Sequence, residues 1–450
     1  MERYDEFRQA YEQARTTLSA LPNVIGVGHG PKITHGEPTG DYAIIAYVDQ
    51  KIPLDQIPVA ERVPSQFQNW LTDVKVPEMG DAHADDADEP LDPHHHSHDG
   101  MWLNWGKLHA RHSTQVGARA AAAPPPLQAG SPHVAVLQDD GTLIMPNGRV
   151  DFVAAFKKFK AQYGDVYDFV TFFMDRGSGV PDNATFHSGI YNQTRGVNYY
   201  ASDHLDDRRA WGSTKLQAFH CFSFISMGAL LQEMGHMWGS YVTVKHRPDD
   251  SDFHFDLLIG DNRNDINQVA HWGRAFNDED SPMDYDGVQW MDNGDGTFTL
   301  TPVADEKLAY CDLDLYLMGL LPPEQVKPFY VVQNSRDEGI SRFAAQRLDL
   351  SAQNVIWAHG PRVPAHGQTA FRQAFIVITK DAANAGAFVE EVDQWRTRYE
   401  QAFARATRNL ARVDTTLSPA PPVDTRPRSN PLADFFDALV AAIRRLFGRA

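Results

Sequence analysis

Gln232-Glu233-Met234-Gly235-His236-Met237-Trp238-Gly239 follows directly on an apolar run, "FSFISMGALL" over Phe222–Leu231. The run predicts a buried helix. A buried helix that ends in Gln, Glu and His is unusual unless that end lines a site. Gln232 and His236 are one helical turn apart and share a face, with Glu233 beside the first of them. Gly235 allows a neighbouring element to approach closely, and Gly239 can end the helix. The alternative reading is a core helix whose polar residues satisfy one another.

The spacing is that of H-E-x-x-H, in which two histidines share a zinc ion and the glutamate polarises the metal-bound water. Glu233 and His236 stand where that chemistry needs them, and Gln232 replaces the first histidine. Four blocks extend the pattern in order: "GALLQEMGHMWGSYV", "AHWGRAFN", "SPMDYDGVQWMDNGDGTFT" and "LDLYLMGLLPPEQV". Together they make residues 133–417 resemble a bacterial family of zincin-type zinc metallopeptidases, whose helix reads H-E-x-G-H-x-W. The resemblance implies an α+β fold with a zincin-like domain, a zinc cofactor and hydrolysis of peptide bonds. It places Glu233 as the general base and His236 on the metal.

Gln232 departs from that pattern. An amide oxygen is a poor zinc ligand beside an imidazole, and the loss should weaken binding by about 10³-fold or more. A further histidine at the metzincin position would fall at 242, which is Val242. His271 in "HWGRAF" is the first candidate for a third ligand, and Asp314 in "CDLDLYLMGL" is the second. An ordinary loop or core histidine, and a buried carboxylate with a structural partner, are the alternatives. Tyr285 is a candidate to steady an oxyanion. Met283 resembles the methionine turn below the zinc of metzincins, or is a methionine in a common turn. Asp312 reads as a helix-start residue. Asp292–Phe298, "DNGDGTF", lacks the downstream glutamate of an EF-hand and reads as a hairpin turn. His220 next to Cys221 is a poor nucleophile pair, since such pairs need spatial rather than sequential adjacency. Two functions follow. One is a zinc-dependent peptidase with a weakened site. The other is a catalytically inactive pseudopeptidase that binds a peptide or protein.

Composition narrows the classes. The chain has 450 residues, 42% of them hydrophobic and 11% aromatic, enough for two or three cores. A net charge of -18 argues against nucleic acid as a partner. Two cysteines, Cys221 and Cys311, make no zinc ribbon or disulfide framework. No secretory signal and no membrane-spanning run is recognisable, so the expected location is the cytoplasm, or outside by a route that leaves no N-terminal mark.

Residues 1–80 read as a small α/β domain. It has a helix over Glu6–Leu21, a strand from Val24 to Gly30 and an apolar strand Ala43–Val48, joined as a hairpin across Thr34–Gly40. The glycines lack the Gly-Lys-Ser/Thr of a phosphate loop. "NVIGVGHGPKITHGEPTG", "AIIAYVDQKIPLDQIP" and "LTDV" make the segment resemble a small module found ahead of trypsin-like peptidase domains in bacteria, which implies an accessory role. Residues 81–132 read as a linker, His/Asp-rich over 81–99, with His94, His95, His96 and His98 able to gather zinc loosely, and Ala/Pro-rich over Ala120–Pro126. The large domain spans 133–417. Expected within it are strands at Val134–Leu137, Tyr167–Phe173 and Phe371–Thr379, and helices at Phe152–Tyr163 and Ala387–Leu410. A Pro-rich linker, 418–431, leads to an amphipathic helix within 432–450. Docking on a protein surface is its expected role, ahead of a membrane surface.

Overall fold

A computed structural model describes residues 10–75, 102–103 and 132–417, less short internal stretches that include 181–184, 198–204, 260–269, 285–287 and 338–341. The His/Asp-rich tract, residues 418–450 with their expected helix, and Tyr285 lie outside the described residues.

The apolar strand Ala43–Val48 is buried on both faces, and this explains its unbroken hydrophobicity. It belongs to β2 (Glu37–Val48), which pairs antiparallel with β1 (Val24–Thr34) as the hairpin reading expects. β3 (Gln66–Phe67), β4 (Trp70–Lys75) and β5 (Trp102–Leu103) complete a sheet in the order β3-β4-β2-β1-β5. Side chains alternate across a strand. Ile44, Ala46 and Val48 accordingly pack with Ala14 and Leu18 on one side. Ile45 and Tyr47 enter the core of the large domain with Ala135 and Phe172 on the other. The linker reading of 81–132 is corrected at Trp102–Leu103, which pair with Gly26 and Val27.

The large domain opens with β6 (Val134–Gln138), α1 (Phe152–Tyr163) and β7 (Phe169–Met174). The Asp151 carboxylate caps α1, accepting from the Ala154 N–H at 2.8 Å, and Gly164 ends it at φ 80°. Next come β8 (Phe186–Gly189), a small ribbon of β9 (Tyr191–Asn192) and β10 (Leu205–Asp206), the short helix α2 (Arg208–Trp211), and β11 (Ala218–Phe222). Helix α3 (Met227–Gly235) follows β11 directly. The hairpin of β12 (Val288–Asp292) and β13 (Thr297–Pro302) turns through "DNGDGTF" with Gly294 and Gly296 at φ 78° and 80°, in agreement with the hairpin reading. The chain ends its described part with α4 (Asp312–Leu317), β14 (Phe329–Asp337), β15 (Arg342–Leu350), α5 (Ala352–His359), β16 (Ala370–Thr379), α6 (Gly386–Ala406) and β17 (Arg412–Asp414).

β17, β16, β7, β11 and β8 form the central sheet, with β6 also paired to β16. All of these pairings are parallel except β8, which runs antiparallel on the outer side of β11. Alternation divides the sheet into two cores. Val170, Phe172, Phe219 and Ile376 face α1. Phe169, Phe173, Phe222 and Phe375 face a second layer that includes α3, α4 and α6. The architecture is a mixture of helices and several sheets, consistent with the α+β class. No helix among the described residues is long and apolar enough to cross a membrane.

Candidate metal centre

Helix α3 is shorter than the apolar run that announces it. Phe222 closes β11, and the Ser226 side chain accepts from the Ala229 N–H at 3.1 Å to start the helix at Met227. His236 is the C-cap, its N–H bonded to the Gln232 carbonyl at 3.0 Å. A tighter turn carries the chain on to Gly239. Gly235 permits a close approach: a Cβ there would lie 2.2 Å from Met283 Sδ and 3.1 Å from Tyr310 Cε1. Met283 therefore packs directly against the helix end. The Tyr310 hydroxyl donates to the Leu231 carbonyl at 2.6 Å and fastens the same turn from α4's side.

The segment that carries His271 is held on both sides. The Ser240 N–H reaches the Ala270 carbonyl at 3.4 Å, the Trp272 N–H the Met283 carbonyl at 2.9 Å, and the Gly273 N–H the Leu257 carbonyl at 2.8 Å. A Cβ on Gly273 would fall 2.2 Å from the Leu258 carbonyl oxygen, so only glycine lets the two backbones meet there. This threading sets the buried His271 ring 4.9 Å from the buried His236 ring, at 79° between planes. Two imidazoles on one tetrahedral zinc, with Zn–N near 2.0–2.1 Å, have centroids about 5 Å apart. The pair fits a shared ion. Gln232, also buried, stands one turn earlier on the face that carries His236.

Asp314, the second candidate for a third ligand, is engaged in structural hydrogen bonds. Its Oδ1 accepts from Trp272 Nε1 at 2.8 Å, and its Oδ2 accepts from the Ser281 hydroxyl at 2.7 Å and the Cys311 N–H at 2.8 Å. Those donors occupy the carboxylate within the N-terminal capping box of α4. Asp312 starts the same helix, pairs with Arg408 and accepts from the Lys327 N–H at 2.9 Å.

Three residues of the site were not among the candidates. His187 on β8 lies opposite His220 on β11, with ring centroids 5.2 Å apart and His187 6.3 Å from His236. His187 Nδ1 and His220 Nε2 are buried without a hydrogen-bond partner. A polar chain crosses the sheet to His220. The Tyr399 hydroxyl donates to Gln373 Oε1 at 3.2 Å, and Gln373 Nε2 donates to Thr171 Oγ1 at 2.7 Å. The Thr171 hydroxyl and His220 Nδ1 are joined by a hydrogen bond of 3.2 Å. Tyr241, at φ 48°, brings its ring within 6.2 Å of His236. No sequence spacing joins His187 to the helix, because strand pairing does so. Tyr241 lies close to His236 in sequence, but its left-handed backbone is what turns it back.

Burial raises the Glu233 carboxyl to about 8, against a backbone hydrogen bond from His187 that favours the ionised form. Burial also pushes Asp278 well above the usual carboxylate range, aided by Asp284 and Asp314. Burial lowers His187 to about 3, which keeps that imidazole neutral. Tyr241 is raised by burial and by the charge of Glu233, so its phenol keeps its proton. The stability of the metal-free protein follows from these directions. A raised carboxyl contributes stability below its unfolded value, and that contribution is lost as pH rises through the folded one. His187 acts oppositely, losing stability only as pH falls below its unfolded value near 6.5. Between pH ~6.5 and ~8 the carboxyls act alone, and one proton costs about 1.4 kcal/mol per pH unit. Chelator-treated protein should lose about 2 kcal/mol more over that interval than Glu233→Gln, read from urea midpoints. Parallel curves for the two proteins would show that Glu233 is not buried as a neutral acid.

No family model, curated protein or solved structure matches the chain.

Proposed function

We propose that the end of α3 is the metal centre of a zincin-type, zinc-dependent peptidase, weakened by Gln232. The observation that carries this is the meeting of two buried imidazoles, His236 and His271, at the end of the helix on which Glu233 is also buried. His236 and His271 would hold the ion, with Gln232 in the place of the first motif histidine. His187 is the next imidazole at hand. A bound zinc ion would supply Lewis acidity to a water and to the scissile carbonyl.

The chain's own groups take the other roles. Glu233 is a neutral acid without an ion; the charge of a bound ion would favour its ionised form, in which it would accept a proton from the attacking water and return it to the leaving amine. Tyr241, which keeps its proton, donates a hydrogen bond to the developing oxyanion, the part first considered for Tyr285. β8 is the outermost strand of its sheet among the described residues and carries His187. An extended peptide could pair with that edge and pass the site.

Asp314 favours the second reading, a pseudopeptidase that binds a peptide or protein without cleaving it. Its engagement with Trp272, Ser281 and Cys311 leaves the ion short of a strong third ligand. Zinc content by elemental mass spectrometry separates the two. The protein should be untagged, with His94, His95, His96 and His98 replaced by serine to silence that tract. The peptidase reading expects one zinc per chain that His236→Ala removes. A zinc content that His236→Ala leaves unchanged would retire the metal centre and leave the binding protein.

A further inference from the structure

We propose that the loop from His246 to Asp256 is a second zinc site, formed by His246, Asp250, His254 and Asp256 and independent of the centre at α3. Ligand atoms of His246, Asp250 and His254 all lie within 4.8 Å of one another, and no other group of three potential ligands among the described residues does so. Asp256 stands just outside that group, its Oδ2 2.7 Å from His246 Nε2, and would move in as the fourth ligand. Asp250 Oδ2 stands 3.0 Å from His254 Nε2. The two imidazoles stack face to face, centroids 3.8 Å apart and planes within 7°. Both therefore turn an Nε2 toward a carboxylate within one small volume.

Three potential ligand atoms are close enough to converge on a small ion. In a tetrahedral zinc site with bonds of 2.0–2.1 Å, neighbouring ligand atoms are about 3.3 Å apart. To hold the metal the two stacked rings would swing apart until their centroids stand about 5 Å from one another, each Nε2 turning from its carboxylate onto the ion. Two imidazoles with two carboxylates suit zinc, whereas calcium and magnesium take oxygen ligands alone.

The loop is anchored before any ion arrives. Val244 and His254 exchange both backbone hydrogen bonds at 2.9 Å, which closes its base. The Lys245 N–H reaches the Asn354 carbonyl at 3.1 Å, and Asn354 Nδ2 returns a bond to the Lys245 carbonyl at 2.9 Å. Asp250 is itself oriented, accepting from the Asp252 N–H at 3.2 Å and the His246 N–H at 3.3 Å. The ligands are partly exposed, open to an ion from solvent. A bound ion would brace the chain just past Tyr241.

The test is zinc titration of full-length, chelator-treated protein carrying the four serine replacements at 94, 95, 96 and 98, read by competition with a chromophoric chelator. His254→Ala should remove one zinc per chain while His236→Ala leaves that zinc in place. Asp256→Asn keeps an acceptor for His246 but removes the ligand charge, and should weaken this site by about 100-fold or more while the circular dichroism is unchanged. Zinc numbers and affinities that are the same in the parent, His254→Ala and Asp256→Asn would overturn the proposal. Such a result would leave the α3 centre untouched, because His236→Ala reports on it separately.

Discussion

Gln232→His should tighten zinc binding at the end of α3 by about 10³-fold and raise zinc-dependent peptide hydrolysis with it. The argument is local. Helical geometry already puts position 232 on the face of His236, and His271 is already 4.9 Å from His236. An imidazole at 232 would turn a two-histidine pair into the three-histidine set that catalytic zinc sites use. The position is buried within a helix that Ser226 caps and Tyr310 fastens, so the new side chain meets a fixed frame. Affinity and turnover should be measured together, with Glu233→Gln added to the histidine variant. Zinc retained and hydrolysis abolished in the double variant would identify Glu233 as the base. Tight zinc without hydrolysis in Gln232→His alone would show that the loss extends past the first ligand, and would favour the binding protein.

The sequence made the helix end legible and left its surroundings dark. Gln232, Glu233 and His236 could be placed because one turn of helix fixes their relation. His271 could be named only as a candidate, since its approach depends on backbone contacts of Gly273 with Leu258 that no periodicity announces. His187 was invisible for the same reason: it reaches the site through the pairing of β8 with β11. The apolar strand Ala43–Val48 was legible as a strand, but its run of hydrophobic residues did not say that two different cores claim its two faces. α1 was legible to its ends, because Asp151 and Gly164 are local signals. The spacing of His246, Asp250 and His254 could have been noticed. It mimics a helical repeat, yet it belongs to a loop whose base is the Val244–His254 pair.

Asp314→Ala should cost about 3–5 kcal/mol of stability, the largest loss expected from a single side chain near the site. Asp314 is 2% exposed and its carboxylate receives three donors, each of which loses its partner in the alanine variant. Trp272 Nε1 and the Cys311 N–H are rigid groups that cannot turn toward water, so the desolvation penalty of each remains. The damage should spread, because Trp272 adjoins His271 and Ser281 also accepts from the Met283 N–H at 3.1 Å. Asp314→Asn is the informative companion. Its amide oxygen can still accept two of the three bonds, so the cost should fall to about 1–3 kcal/mol and the protein should stay folded. Urea midpoints give the cost, and zinc content of the asparagine variant gives the role. Zinc kept in a destabilised protein is what a hub predicts. Zinc lost from a folded Asp314→Asn protein would return Asp314 to the metal and make the bonds to Trp272 and Ser281 the means of orienting a ligand, as hydrogen bonds to a ligating carboxylate do in zinc sites.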